Sequence, residues 1–202
     1  MANNFAQTIS KSESGRLVVE DDWYPGGIPS NVSIGEDVYI DSAFSFATFY
    51  SEKTIGFHIG YASGNYHQSL FKVGKNGVVD VGSYVVLENT NIICNFSVKI
   101  GSHCMLSWGS TITDSWLSAE HDIALRRAML ERAAKCANRH IEHVHPQEVI
   151  LHDNVWVGFD SVIMPGVTIG ANSVIGCKSV VFSNVPPNVV FAGNPAKFVK
   201  NI

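Results

Sequence analysis

The sequence predicts an all-β solenoid, a parallel β-helix of three sides interrupted by one helical excursion. Three observations predict it. In 151–185 an aliphatic residue opens every block of six: Leu151, Val157, Ile163, Ile169, Ile175 and Val181. The same step of six recurs in two earlier sets. Between them, 113–150 loses the period and turns rich in Ala, Leu, Arg and Glu. Helices repeat near 3.6 and simple strands near 2, so neither explains a period of six. A short strand and a tight turn per hexad, with three hexads making a coil of roughly 18 residues, does.

The opening aliphatic of each hexad points inward. The fifth place is small or aliphatic each time (Val155, Ser161, Val167, Ser173, Ser179 and Val185), as a crowded corner requires. Gly158, Gly170 and Gly176 follow the inward residue, where turn dihedrals are needed. The earlier sets are Val81, Leu87 and Ile93, then, after a one-residue slip, Ile100, Leu106 and Ile112; further back come Ile28, Ile34, Ile40 and Phe46. The frame is lost between 47 and 80, which predicts an irregular or inserted coil. A stack of coils has open ends that need covering. Residues 1–27 are expected to cap one end and 186–202 the other, the tail FAGNPAKFVKNI as a turn and short helix. The whole of 1–202 reads as one domain.

The excursion spans about 115–148. Residues Asp122 to Arg139 lack Gly and Pro and read as one helix, with Ile123, Leu130, Ala134, Ala137 and Ile141 as its apolar stripe. Pro146 stops any continuation. The helix is basic, with Arg126, Arg127, Arg132, Lys135 and Arg139 against Glu131 and Asp122; it is either a solvated face or a guide for an anionic acceptor or cofactor phosphates.

Composition excludes several classes. The 202 residues are 46% hydrophobic and 16% charged, with a net charge of −4, which gives no reason to expect nucleic-acid binding. The first residues lack a basic segment followed by an apolar run, and no apolar stretch approaches the ~20 residues of a membrane helix, so a cytoplasmic protein is expected. Cys94, Cys104, Cys136 and Cys177 form no CxxC pair and read as reduced thiols.

Several segments resemble the hexapeptide-repeat acyltransferases of left-handed β-helix type, in particular the galactoside, maltose and xenobiotic acetyltransferases and the bacterial polysaccharide O-acetyltransferases. They are NVWVG (154–158), MPGVTIG (164–170), AGNPAK (192–197), and an acidic residue and histidine after the coil before the excursion, Asp114 and His121. The resemblance covers roughly 80–200; 1–79 match in repeat style alone. It implies a left-handed superhelix, a homotrimer, acetyl-CoA as donor with no metal, and active sites in clefts between subunits. The acceptor it implies is a small sugar, a nucleotide sugar or a glycan such as capsule or lipopolysaccharide. Trp156 and Gly158 would border the groove for the pantetheine arm. Gly176, Ala192 and Gly193 would continue it, and Lys197 would meet a CoA phosphate. Two departures bear on the acceptor: Asp114 and His121 lie farther apart than in the family, and the excursion is longer and more helical.

Acetyl transfer from a thioester to a hydroxyl needs a base, an oxyanion donor and alignment of two substrates. Histidine suits the base, since its ordinary pKa of about 6.5 leaves it mostly neutral near pH 7. Of eight histidines, His121 stands at the mouth of the excursion beside Asp114, Glu120 and Asp122, any of which could orient its ring. His143 and His145 are the other candidates. Three further functions remain open: N-acylation of an amino sugar nucleotide, a zinc protein of gamma carbonic anhydrase type drawing on HIEHVH (140–145), and a non-catalytic scaffold.

Overall fold

The computed structural model describes residues 9–12, 17–117, 121–136, 141 and 143–202. Successive strands visit three parallel sheets in turn, so the chain winds as a three-walled coil. In the first wall, Ile34, Ile59, Val81, Ile100, Leu151 and Ile169 are register partners. In the second they are Ile40, Asn65, Leu87, Leu106, Val157, Ile175 and Phe191. The third stacks Phe71, Ile92, Ile112, Ile163 and Val181. Nearly all are buried and meet in one continuous core. Each buried aliphatic stabilises the fold by about 1.5–3 kcal/mol relative to exposure.

The small fifth places have a second use. Ser161, Ser173 and Ser179 are fully buried, and their hydroxyls donate to the carbonyls of Gly176, Pro186 and Gly176 at 2.9, 2.7 and 2.6 Å. A serine therefore satisfies a corner carbonyl that no wall strand reaches.

Several expectations need correction. Ile92, not Ile93, points inward, pairing with Ile112; the steps from Leu87 to Ile92 and from Ile92 to Ile100 are five and eight residues, where the spacing indicates six and seven. Residues 47–80 are one more turn of the stack rather than a separate insertion, with strands Phe57–Ile59, Gly64–Tyr66 and Leu70–Val73, one on each wall. The expected irregularity is there: register partners Ile34 and Ile59 are 25 residues apart and Ile59 and Val81 are 22 apart, against 18 from Leu151 to Ile169. The frame is hidden because Asn65 takes an aliphatic place, donating to Ser45 Oγ at 2.8 Å, and because rings fill the rest. Phe57 and Phe71 lie 4.5 Å apart between centroids, with Phe46 at 5.3 and 5.1 Å from them.

The C-terminal cap is a hairpin rather than a turn and helix: Val189–Gly193 extends the second wall and Ala196–Asn201 folds back antiparallel on it. This last strand supplies partners to the wall's open edge, which a helix could not. At the other end Ile9–Lys11 and Leu17–Val19 pair antiparallel and bury Val19.

The excursion leaves after Thr111–Thr113 as a two-stranded stem, Trp116–Leu117 against His143–Val144. It carries α1 (Ile123–Ala134), which ends before the expected Arg139 in a turn at Lys135. Residues 137–140 lie outside the described residues. Asp122 caps α1, accepting from Leu125 N at 3.0 Å. Of the expected apolar stripe, Ile123 (69%), Leu130 and Ala134 are exposed and Ile141 is half-buried, while Ala137 lies outside the described residues; Ala133 is the buried residue of α1. No helix among the described residues is long and apolar enough to cross a membrane.

Candidate active site

The edge that follows the second wall gathers most of the residues singled out for the donor. Gly158, Gly176 and Ala192 each follow the inward residue of successive coils. Gly158 N donates to Ile175 O and Gly176 N to Phe191 O, both at 2.8 Å. The coils close so tightly here that a side chain has no room. A Cβ on Gly158 would lie 2.7 Å from Cys177 N, and one on Gly176 would lie 2.8 Å from Ala192 Cβ. Gly193 has φ +103°, in the region that favours glycine, and its N–H donates to Ser179 Oγ at 3.0 Å. Lys197 pairs with Ala192 across the final hairpin and is exposed. Gly158 is buried under the next coil, Gly176 and Ala192 are half-buried and Gly193 is exposed, so this edge of small residues opens only toward its end, at an exposed cation.

Trp156 flanks that edge, on the outer face as its place in the hexad predicts. It is 49% exposed, and its Nε1–H donates to Ser107 Oγ at 3.1 Å, which fixes the ring. Its row along the second wall reads Val86, Met105, Trp156, Val174 and Val190, all apolar. The equivalent row of the first wall reads Ser33, His58, Asp80, Lys99, Ile150 and Thr168. The apolar row beside the edge of small residues offers a long, dry contact surface to a flexible chain or to another protein.

Asp114 and His121 are not brought together as an orienting pair. Asp114 is fully buried, and its carboxylate accepts from the amides of Asn95, Phe96 and Ser97 at 2.7 to 3.0 Å. It caps a corner, and its backbone carbonyl takes Gln147 N at 2.7 Å, tying the two roots of the arm together. A carboxylate spent on three amides has little left for an imidazole. Burial and this carboxylate push the Cys94 thiol far up, and burial holds Cys104 at about 11, so neither is a thiolate nucleophile near pH 7. His121 is exposed, immediately before the cap of α1. His145 is exposed with φ +52°. Among the described residues no three metal-type side chains converge; His140 lies outside them.

Hexad spacing alone missed another constellation on the same edge. His67 Nδ1 is hydrogen-bonded to Glu88 Oε1, and the His67 ring lies 6.3 Å from that of Trp108. Their spacing, about 20 residues from one to the next, is one coil each. It becomes legible once the frame through 47–80 is known.

Comparison with known proteins points the same way. Residues 148–183 match the model of the bacterial transferase hexapeptide, six repeats. The chain is 32% identical over 133 residues to galactoside O-acetyltransferase of Escherichia coli, covering 65% of this chain and 57% of that protein. It is 28% identical to the putative colanic acid biosynthesis acetyltransferase WcaF of E. coli, covering 64% of this chain and 68% of that one. Among solved structures, AntD, an N-acyltransferase of Bacillus cereus in complex with dTDP and coenzyme A, superposes with a TM-score of 0.60 at 18% identity, covering 84% and 83% of the two chains. A hexapeptide-repeat acetyltransferase of Vibrio cholerae, VCA0836, gives 0.55 at 24% identity over 78% and 73%. The chain thus spans somewhat over half the length of the first of these curated relatives and shares the fold of the two structures. Its repeat region carries the bacterial transferase hexapeptide, and through it the chain is related to hexapeptide-repeat acetyltransferases.

Proposed function

We propose that the protein is a left-handed β-helical O-acetyltransferase that moves an acetyl group from acetyl-CoA to a hydroxyl of a sugar or surface polysaccharide. The observation that carries this reading is the edge of small residues Gly176, Ala192 and Gly193 beside Trp156, with Gly158 closed beneath it and Lys197 at its end. A pantetheine arm is narrow, apolar and studded with amides, and an edge of small residues lets it lie close to backbone. Lys197 suits a phosphate.

In this reading the apolar row through Trp156 is covered by a second copy, and three copies form the assembly with the donor cleft between neighbours. His121, on the exposed arm, takes the hydroxyl proton as the oxygen attacks the thioester carbon. The amides of Gly158, Gly176 and Gly193 are spent within the fold, so the oxyanion takes its donor from another group at the cleft. As the C–S bond breaks, the proton passes from histidine to the departing CoA sulfur, and the acetyl ester remains on the acceptor. Asp114 supports this chemistry through the arm's root rather than by orienting the ring. The reaction takes place in the cytoplasm and needs no metal.

Incubation with acetyl-CoA and a panel of sugars tests the reading. A base-labile acetylated product is expected; a base-stable one means an amide and the amino-sugar alternative. His121→Ala is expected to lower kcat by about 10²–10⁴-fold while leaving CoA binding intact, the usual contribution of a general base. Activity within tenfold of the parent moves the base elsewhere. Lys197→Ala is expected to raise the KM for acetyl-CoA and not for the acceptor.

A further inference from the structure

The edge that holds this strip of small residues continues toward the N-terminal coils, and there it changes character. Trp156 Nε1 donates to Ser107, whose neighbour Trp108 is 58% exposed. Trp108 faces His67, whose side chain is 70% exposed and whose Nδ1 is held by Glu88, 17% exposed. With Nδ1–H given to the carboxylate, Nε2 is left as a hydrogen-bond acceptor facing solvent. The backbone beneath is fixed. Asn89 Nδ2 donates to His67 O at 2.8 Å, Asn89 N to Tyr66 O at 2.9 Å and Gly109 N to Asn89 O at 3.1 Å. Trp108 lies one coil from Trp156 and His67 two more, so the span from Trp156 to His67 is about 14 Å along the stack.

An exposed indole, a tethered imidazole and a carboxylate within reach of one another match a sugar. The apolar face of a pyranose ring lies on the indole, while adjacent hydroxyls bond to Nε2 and to the carboxylate. The charge of the edge narrows the class. Asp41, Glu88 and Asp160 bring carboxylates to it, and Lys178 is engaged by Asp160 at 3.7 Å. A diphosphate would meet like charge here.

We propose that Trp108, His67 and Glu88 form the acceptor subsite, and that it takes a neutral sugar ring with adjacent free hydroxyls rather than a nucleotide sugar. This rests on the acetyl transfer proposed above, with the acceptor lying just beyond the thioester end of the donor strip.

Saturation-transfer NMR with methyl glycosides, in the absence of donor, reads the subsite directly. Titration with CoA is run separately and reports on the donor strip alone. The parent protein is expected to bind at least one neutral glycoside. Trp108→Ala is expected to weaken it about tenfold or more, and Trp108→Phe to restore most of the loss. Glu88→Gln is expected to weaken the same glycoside, with CoA affinity unchanged in all three variants. Equal binding by Trp108→Ala, or tighter binding of a nucleotide sugar than of its neutral glycoside, overturns the assignment. Failure to bind CoA while the glycoside pattern holds would overturn acetyl transfer and leave the sugar subsite standing.

Discussion

The last coils and the arm obey opposite rules. In 151–185 every sixth side chain is enclosed by the coils above and below, and Leu151, Val157, Ile163, Ile169, Ile175 and Val181 are all at most 1% exposed. In α1 the large apolar side chains Ile123, Leu125 and Leu130 stand in solvent, and Ala133 is its buried residue. The coils take their shape from repetition, whereas the arm is held at its root by the stem pairing and by the Gln147–Asp114 bond.

The contrast is breakable, and its sharpest break is in the stack. Ile163→Ala should destabilise the protein by about 2–5 kcal/mol in denaturant unfolding, since neighbours above and below cannot both collapse into the space. Next comes the arm's root. Asp114→Ala leaves three buried amides without an acceptor, and a loss of about 2–4 kcal/mol is expected, read as a fall in Tm. If Asp114 were instead an orienting group on the rim, stability would hold and kcat alone would fall.

Smaller effects probe the irregular coil. Asn65 Oδ1 is buried without a hydrogen-bond partner. Asn65→Leu combined with Ser45→Ala should therefore be neutral or raise stability by about 1 kcal/mol, as paired removal of buried polar groups allows. A clear loss of Tm would show that the amide is needed.

The hydrogen bonds from Lys99 and Ser97 hold the Glu148 carboxyl below its usual range. A carboxylate depressed in the folded state stabilises above its unfolded pKa, and that contribution is lost as pH falls through the lower, folded value. Glu148→Gln should thus cost at most about 0.5 kcal/mol at pH 7, because the pair is partly exposed, and the difference from the parent should vanish in acid. Least of all, Leu130→Ala should change stability by under about 0.5 kcal/mol in unfolding experiments. A larger loss would mean that α1 is covered in solution, by its own body or by another copy.

The coils were legible because each repeats one demand, an enclosed aliphatic at a fixed interval. That demand is visible in Ile163 or Ile175 without knowledge of the partner. It failed where the interior changed chemistry: Asn65 and the Phe46–Phe57–Phe71 cluster satisfy the same space with residues that do not announce it. It failed again at Ile92 and Ile93, two adjacent aliphatics between which spacing cannot choose. The end hairpin was missed because AKFVKN pairs with an edge whose existence depends on the whole stack. Along the edge after the second wall, the outward place of Trp156 and the turn places of Gly158 and Gly176 were legible from the hexad. Asp114's capping role was one of two readings the residues allowed, and its partners, being amides, are revealed by no side-chain pattern. His67, Glu88 and Trp108 were invisible as a group until the coils aligned them.

The central claim is that the strip beside Trp156 is the donor site. Equilibrium titration of CoA into the parent and into Trp156→Ala tests it most directly, since the ring is half-exposed and its removal spares the core. The account predicts saturable binding to the parent and a weakening of about tenfold or more in the variant at an oligomeric state, read by light scattering, equal to the parent's. Equal affinity in the two proteins, or no binding to the parent, would contradict it.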